Sequence, residues 1–216
     1  MIPAREALER LREGNHRFAA DIRRADQSHD RRAELAAGQR PFAIILGCSD
    51  SRVPAELVFD QGLGDLFVIR VAGNIVAPSL VGSVEFAAEA FETRLVVVLG
   101  HSQCGAIAAT VEQLRRPTAA RSRNLQSIVD RVRPAIEGLM GTPVAHDPMA
   151  LDHAATRANI RASVDHLRHG SEVLEQLIQD NGLLVVGAAY SIETGIVEFL
   201  DDVGDATFNG RDPLGT

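Results

Sequence analysis

PFAIILGCSDSR, residues 41–52, is the stretch on which the fold turns. A short apolar run opened by a proline and closed by Gly47 reads as a strand buried on both faces, and such strands belong to parallel sheets covered by helices. The run ends directly in Cys48, Ser49, Asp50, Ser51 and Arg52, so polar chemistry begins where the strand stops. Three further runs have the same character, at 66–71, 95–100 and 183–189, and a shorter one at 196–200 follows turn residues around Gly195. Helical patterns lie among them. The first, 6–20, has apolar positions Ala7, Leu8, Leu11 and Phe18 and is interrupted by Gly14. The second, 79–91, offers Val81, Val84 and Phe86 to a core, and the third, 156–180, forms one helix or two with a break at Gly170 and Ser171. This alternation predicts an α/β fold: a four-stranded parallel core, the last short strand added antiparallel at an edge, and helices on both faces.

With 216 residues, 45% hydrophobic and 24% charged, the chain is long enough for one good core, expected as a single domain over 1–203. A net charge of −7 with both signs interspersed argues against nucleic acid and anionic membrane as partners. Arg5, Glu6, Glu9 and Arg10 leave no room for the apolar core of a secretory signal. No apolar run approaches the roughly 20 residues of a spanning helix, so the expected compartment is the cytoplasm. The basic segment 115–123 (RRPTAARSR) reads as a solvated loop, and the polar tail 204–216 is expected to be poorly ordered.

The third strand runs into LGHSQCGA, residues 99–106. In an open parallel sheet, sites collect beyond the carboxyl ends of the strands, where the strand order reverses. If the first and third strands are neighbours, about 4.8 Å apart, Cys48 meets His101 and Cys104 around a single cation. Two sulfurs and an imidazole nitrogen suit tetrahedral Zn2+, and three protein ligands leave a fourth position for water or a carboxylate. The chain has only 2 cysteines, too few for a closed all-thiolate site. Asp50 is the candidate either to become that fourth ligand or to accept a hydrogen bond from the water, and Arg52 can hold its carboxylate away through a bidentate pair. Gly105 opens the next helix, where a residue without a side chain lets its backbone N–H approach a bound anion.

These residues lie in two segments, 48–74 (CSDSRVPAELVFDQGLGDLFVIRVAGN) and 99–106, that resemble the signature segments of the β-carbonic anhydrases. LERLREGNHRF at 8–18 and the late strand followed by Tyr190 are similar too, so the likeness runs roughly from residue 5 to 200. The resemblance implies a zinc enzyme for the reversible hydration of carbon dioxide to bicarbonate and a proton. It assigns the metal to Cys48, His101 and Cys104 and the catalytic pair to Asp50 and Arg52. It implies self-association as a dimer or tetramer with the pocket at the subunit interface, and an N-terminal helical arm, 1–35, packed on the partner subunit. Gln39, nine residues before Cys48, resembles a glutamine that donates to the substrate. Phe67 and Phe86 resemble the apolar wall, with Phe86 standing where some members have tyrosine.

One departure bears on regulation. Members that close their zinc with the aspartate under bicarbonate control have a tryptophan three residues before the first cysteine, with an arginine and a tyrosine. Here Ile45 takes that place beside Arg70 and Tyr190, and the chain has no Trp. Asp50 is therefore expected to stay off the metal at neutral pH. Relatives that hydrolyse carbonyl sulfide or carbon disulfide share the same ligands, so that chemistry is an alternative. A non-enzymatic zinc module sensing carbon dioxide or bicarbonate is another, but it predicts damage to the Asp50 and Arg52 pair, and none is visible. The remaining histidines, at 16, 29, 146, 153, 166 and 169, read as mostly exposed. One of them could export the proton of hydration, and nothing in the letters singles it out.

Overall fold

The computed structural model describes residues 2–26, 28–117 and 122–200. In chain order the elements are α1 (Ala4–Ala19), α2 (His29–Leu35), β1 (Ala43–Gly47), α3 (Ala55–Val58), β2 (Leu66–Arg70), α4 (Pro78–Ala90), β3 (Leu95–His101), α5 (Gly105–Arg115), α6 (Arg123–Ile136), α7 (Pro148–His169), α8 (Glu172–Asp180), β4 (Leu184–Tyr190) and β5 (Val197–Phe199). The strands form one sheet in the order β2-β1-β3-β4-β5, parallel throughout except for β5, which pairs antiparallel with β4. This is the α/β architecture the sequence predicts, with each strand ending within a residue of its expected bounds.

β1 and β3 are buried along their whole length because helices cover both faces of the sheet. Ile45, Val97 and Val186 point to one face, where α1 contributes Ala7, Leu8 and Leu11 and the α3 region contributes Phe59. Ile44, Leu46, Val96, Val98 and Val185 point to the other, against Val84, Ala87 and Ala88 of α4 and Ile160, Val164 and Leu167 of α7. The two sets alternate along each strand because the side-chain period of a strand is two. Each fully buried Leu or Ile contributes about 2 kcal/mol relative to exposure.

Two sequence expectations need correcting. Gly14 does not interrupt the first helix, which runs unbroken from Ala4 to Ala19. It marks a close approach: a Cβ there would lie 1.9 Å from the Phe59 carbonyl oxygen, so only glycine lets α1 sit down on that loop. Asn15 completes the contact, donating to the Val58 and Gly195 carbonyls at 3.0 and 2.9 Å and accepting from the Val197 N–H at 2.8 Å. Ala7, Leu8 and Leu11 of α1 are thus buried in the core of its own chain.

The second correction concerns length. The helix expected at 156 begins at Pro148, because the Asp147 side chain caps it by accepting from the Met149 and Ala150 N–H groups at 2.9 and 3.2 Å. The break at Gly170 and Ser171 is real, with Ser171 capping α8. α6 follows a Ser122 cap and lies between loop and helix patterns that Pro134 obscures. Residues 118–121 of the basic loop and the tail from 201 onward lie outside the described residues. No helix among those described is long and apolar enough to cross a membrane.

Candidate metal centre

β1 and β3 are neighbours, with Gly47 opposite Leu99, and this is the place where the strand order reverses. Cys48 therefore leaves β1 beside the end of β3, which carries His101 as its last residue, and Cys104 is the residue that precedes α5. The two sulfurs and an imidazole nitrogen lie within 4.8 Å of one another, all three residues buried. Neither cysteine is in a disulfide.

The donors are prepared in a way that suits a divalent cation. His101 Nδ1 lies 2.9 Å from the Ser102 carbonyl oxygen, which fixes Nδ1 as the protonated nitrogen. Nε2 is buried with no hydrogen-bond partner of its own, a costly arrangement unless something outside the protein occupies it. The Gly73 N–H donates to Cys48 Sγ at 3.3 Å, and Gly73 can present it because it sits at φ 73°, where a Cβ would also press on Ala106. The hydrogen bond with Cys104 pushes the Cys48 thiol down to about 4, helped by His101 and the Gly73 N–H against the opposing effect of burial. The same hydrogen bond, followed by burial, pushes the Cys104 thiol up, so the two share a proton unequally. Burial pulls the His101 imidazole down, but the adjoining Cys48 sulfur outweighs it and raises the ring's proton affinity. Two sulfurs and an imidazole so placed are an electron-rich set that fits zinc.

Asp50 and Arg52 stand over this cluster. Arg52 Nε and Nη2 donate to Asp50 Oδ1 and Oδ2 at 2.9 and 2.7 Å, and the Arg52 backbone N–H adds a third bond to Oδ1 at 3.0 Å. The guanidinium, chiefly, holds the Asp50 carboxyl well below the usual carboxylate range. Asp50 Oδ2 stops 4.0 Å from His101 Nε2, near the cluster but turned toward the arginine. Arg70 donates to the Cys48 and Asp50 carbonyls at 3.0 and 2.7 Å, so it braces the loop between them. Ile45 is fully buried in the core and Tyr190 nearly so. Gly105 is the first residue of α5, and nothing lies within 4 Å of where its Cβ would be.

Gln39, Phe67 and Phe86 are not brought to this cluster within one chain. Gln39 lies ahead of β1, in a shallow depression with Leu35, Leu63 and Gly64. Phe67 pairs in register with Ile44 near the start of β1 and stacks near Phe86 and Phe91, with centroids 6.2 and 5.9 Å away. A five-residue strand separates this end from Cys48, about 16 Å at the usual rise. Phe86 is 55% exposed. The sequence reading missed Gly73 as a sulfur donor, although a Gly-Asn pair in a turn was a usable signal. It also missed Gln103, Asp152 and Glu193, for which no local pattern exists.

The family model described as "Carbonic anhydrase" matches residues 43–197. "Carbonic anhydrase 2" of Mycobacterium tuberculosis is 37% identical, over 92% of this chain and 94% of that protein. The carbonic anhydrase of Mycolicibacterium smegmatis is likewise 37% identical over 92% of this chain and 94% of its own length. Among solved structures, the β-carbonic anhydrase CcaA superposes with a TM-score of 0.69 at 28% identity, covering 91% of this chain and 92% of that one. The chain belongs to the β-carbonic anhydrase family and is a carbonic anhydrase, an enzyme whose general reaction is the hydration of carbon dioxide.

Proposed function

We propose that the chain hydrates carbon dioxide reversibly to bicarbonate and a proton in a zinc-dependent manner, with Cys48, His101 and Cys104 as ligands and Asp50 with Arg52 as the catalytic pair. The observation that carries this reading is the meeting of two buried sulfurs and a buried, unbonded imidazole nitrogen beside a carboxylate already held by an arginine. Zinc held there would supply a Lewis acid that turns water into a strong nucleophile near neutral pH. The Asp50 carboxylate, kept ionised by Arg52, accepts a hydrogen bond from the reacting water and orients it. Arg52 also opposes rotation of Asp50 into the ligand set, where it would be a fourth ligand and block the site. The Gly105 N–H at the start of α5 stabilises the anionic product.

Carbon dioxide has no net dipole, so it is held by an apolar wall and one or two donors. We assign these to Gln39, Phe67 and Phe86, and their position at the far end of the sheet supports a homodimer or tetramer. The pocket over one metal is then completed by the partner subunit's Gln39, the partner subunit's Phe67 and the partner subunit's Phe86.

Metal analysis with stopped-flow hydration tests the reading. The expected result is about one zinc per chain and a rate that rises with pH through about 7. Asp50→Ala should keep the zinc and lose about a hundredfold in kcat. Protein without zinc, or an Asp50→Ala variant as fast as the parent, would overturn it. Faster turnover of carbonyl sulfide or carbon disulfide in the same apparatus would move the substrate to that class.

A further inference from the structure

Gln103 lies between the ligands His101 and Cys104, and it occupies a conformation that a non-glycine residue avoids, φ 58°. Such a conformation costs on the order of 1 kcal/mol and persists where the surroundings over-determine it. Three separate segments do so here. The Asp152 carboxylate, in the first turns of α7, accepts from the Gln103 backbone N–H at 2.9 Å. The Glu193 carboxylate, in the turn between β4 and β5, accepts from the Gln103 side-chain amide at 3.0 Å. The Gln103 carbonyl accepts from Arg52 Nη2 at 3.3 Å, and that same nitrogen donates to Asp50 Oδ2.

We infer that Asp152 is a positioning residue for Arg52, acting through Gln103. The argument is geometric. Arg52 is nearly half exposed, and a long exposed side chain holds one orientation only if its bonds exceed the rotamer entropy it gives up. Asp50, itself held by the Arg52 backbone N–H, anchors one side of the guanidinium. The Gln103 carbonyl is a second point of attachment: the bond from the Gln103 N–H to Asp152 holds the peptide before Gln103, and the φ of 58° then aims the carbonyl of the following peptide at Arg52. Asp152 is 49 residues from Gln103 in sequence, so the aim of the Asp50 and Arg52 pair depends on how α7 docks, not on the strand-end loops alone. Glu193 is exposed and supplies the weaker arm of the clamp. The functional weight of this clamp rests on the reading of Asp50 and Arg52 as the catalytic pair; its existence does not.

The test compares the parent with Asp152→Ala and Asp152→Asn, each checked for folding by circular dichroism and for metal content. Its primary readout is the side-chain Nε–H resonance of Arg52 in proton–nitrogen spectra of the metal-free and zinc-loaded protein. The expected result is a persistent resonance in the parent, broadening by exchange in Asp152→Ala, and recovery in Asp152→Asn, whose amide oxygen can still accept from Gln103. With zinc content unchanged, kcat should fall about tenfold in Asp152→Ala, the scale typical of such supporting contacts, and return in Asp152→Asn. An Arg52 resonance that persists in Asp152→Ala overturns the inference, as does an Asp152→Asn variant that behaves like Asp152→Ala. A broadened Arg52 resonance with undiminished kcat upholds the clamp and overturns instead the catalytic assignment of the pair. Gln103→Gly keeps both backbone groups and relieves the conformational cost, so it should retain the Arg52 signal even if Asp152→Ala fails to fold. Loss of the signal there would also overturn the inference.

Discussion

The two ends of this sheet are finished to different degrees by a single chain. At the carboxyl end, the two sulfurs and the imidazole nitrogen that could hold a metal sit within 4.8 Å, Arg70 and Arg52 fix the loop after β1, and Asp152 and Glu193 fix the turn after β3. Even α1 contributes, since Asn15 ties it to the β4–β5 turn that carries Glu193. At the amino end, Gln39 and Phe86 are exposed, and Phe67 and Phe91 are half-buried beneath Phe86, beside the edge strand β2 and without such a hydrogen-bond network among the described residues. Coordination and orientation of a carboxylate tolerate errors of a few tenths of an ångström, and only covalent connection and a dense hydrogen-bond network hold groups that closely. An apolar wall needs only shape, which assembly of subunits can supply.

The largest effect should come from removing a proposed ligand at the braced end. His101→Ala should abolish both zinc binding and hydration while leaving the fold intact, as read by metal analysis and stopped-flow rates. Zinc retained at full occupancy with activity unimpaired would erase the contrast between the ends. At the open end, Phe86→Asp should weaken subunit association by about 2 kcal/mol, the scale of a central interface aromatic. Sedimentation should then show monomers that keep their zinc yet turn over more slowly at low protein concentration. Association and kcat/KM both unchanged would show that the aromatic cluster serves neither assembly nor the pocket.

The bracing itself can be weakened without touching the chemistry. Gly14→Ala forces α1 off the Phe59 carbonyl and should cost about 3 kcal/mol of stability, measured by denaturant unfolding, with the folded fraction still binding zinc. The smallest effect concerns Asp60, whose buried carboxylate accepts from Arg17 Nε at 2.6 Å and from the Arg24 and Ala25 N–H groups. Burial would raise its proton affinity, but the Arg17 bond and the two backbone bonds outweigh it, so its folded value lies below that of the unfolded chain. Its contribution is therefore fully present above about pH 4, the unfolded carboxylate value, and is lost as pH falls through the lower folded value. Asp60→Asn, which keeps one oxygen acceptor, should be less stable than the parent by about 1 kcal/mol at pH 7, with the gap closing below about pH 4. A gap that is constant with pH would show that the charge on Asp60 contributes nothing.

Much of this was legible in the letters. The five strands read correctly because buried parallel strands are continuous apolar runs, and the candidate donors stood out because Cys48 and His101 directly follow such runs, with Cys104 three residues further on. Helices capped by tertiary or side-chain contacts were less legible: Asp147 followed by Pro148 was a readable start for α7, while Pro134 masked α6. Gly14 misled because glycine inside a helical pattern has two readings, a break or a close approach, and only the position of the Phe59 carbonyl separates them.

Sequence alone determined the strands, their order and the candidate donor set, because periodicity and the chemistry of Cys48, His101, Cys104, Asp50 and Arg52 are properties of neighbouring residues. Tertiary structure alone decided that α1 lies on its own sheet, that Gln39 and Phe86 lie away from the chain's own Cys48, His101 and Cys104 cluster, and that Asp152 and Glu193 meet at Gln103. Those contacts join residues 49 and 90 positions apart. No local pattern encodes them, since they exist only once the packing of both sheet faces has brought α7 and the β4–β5 turn to the end of β3.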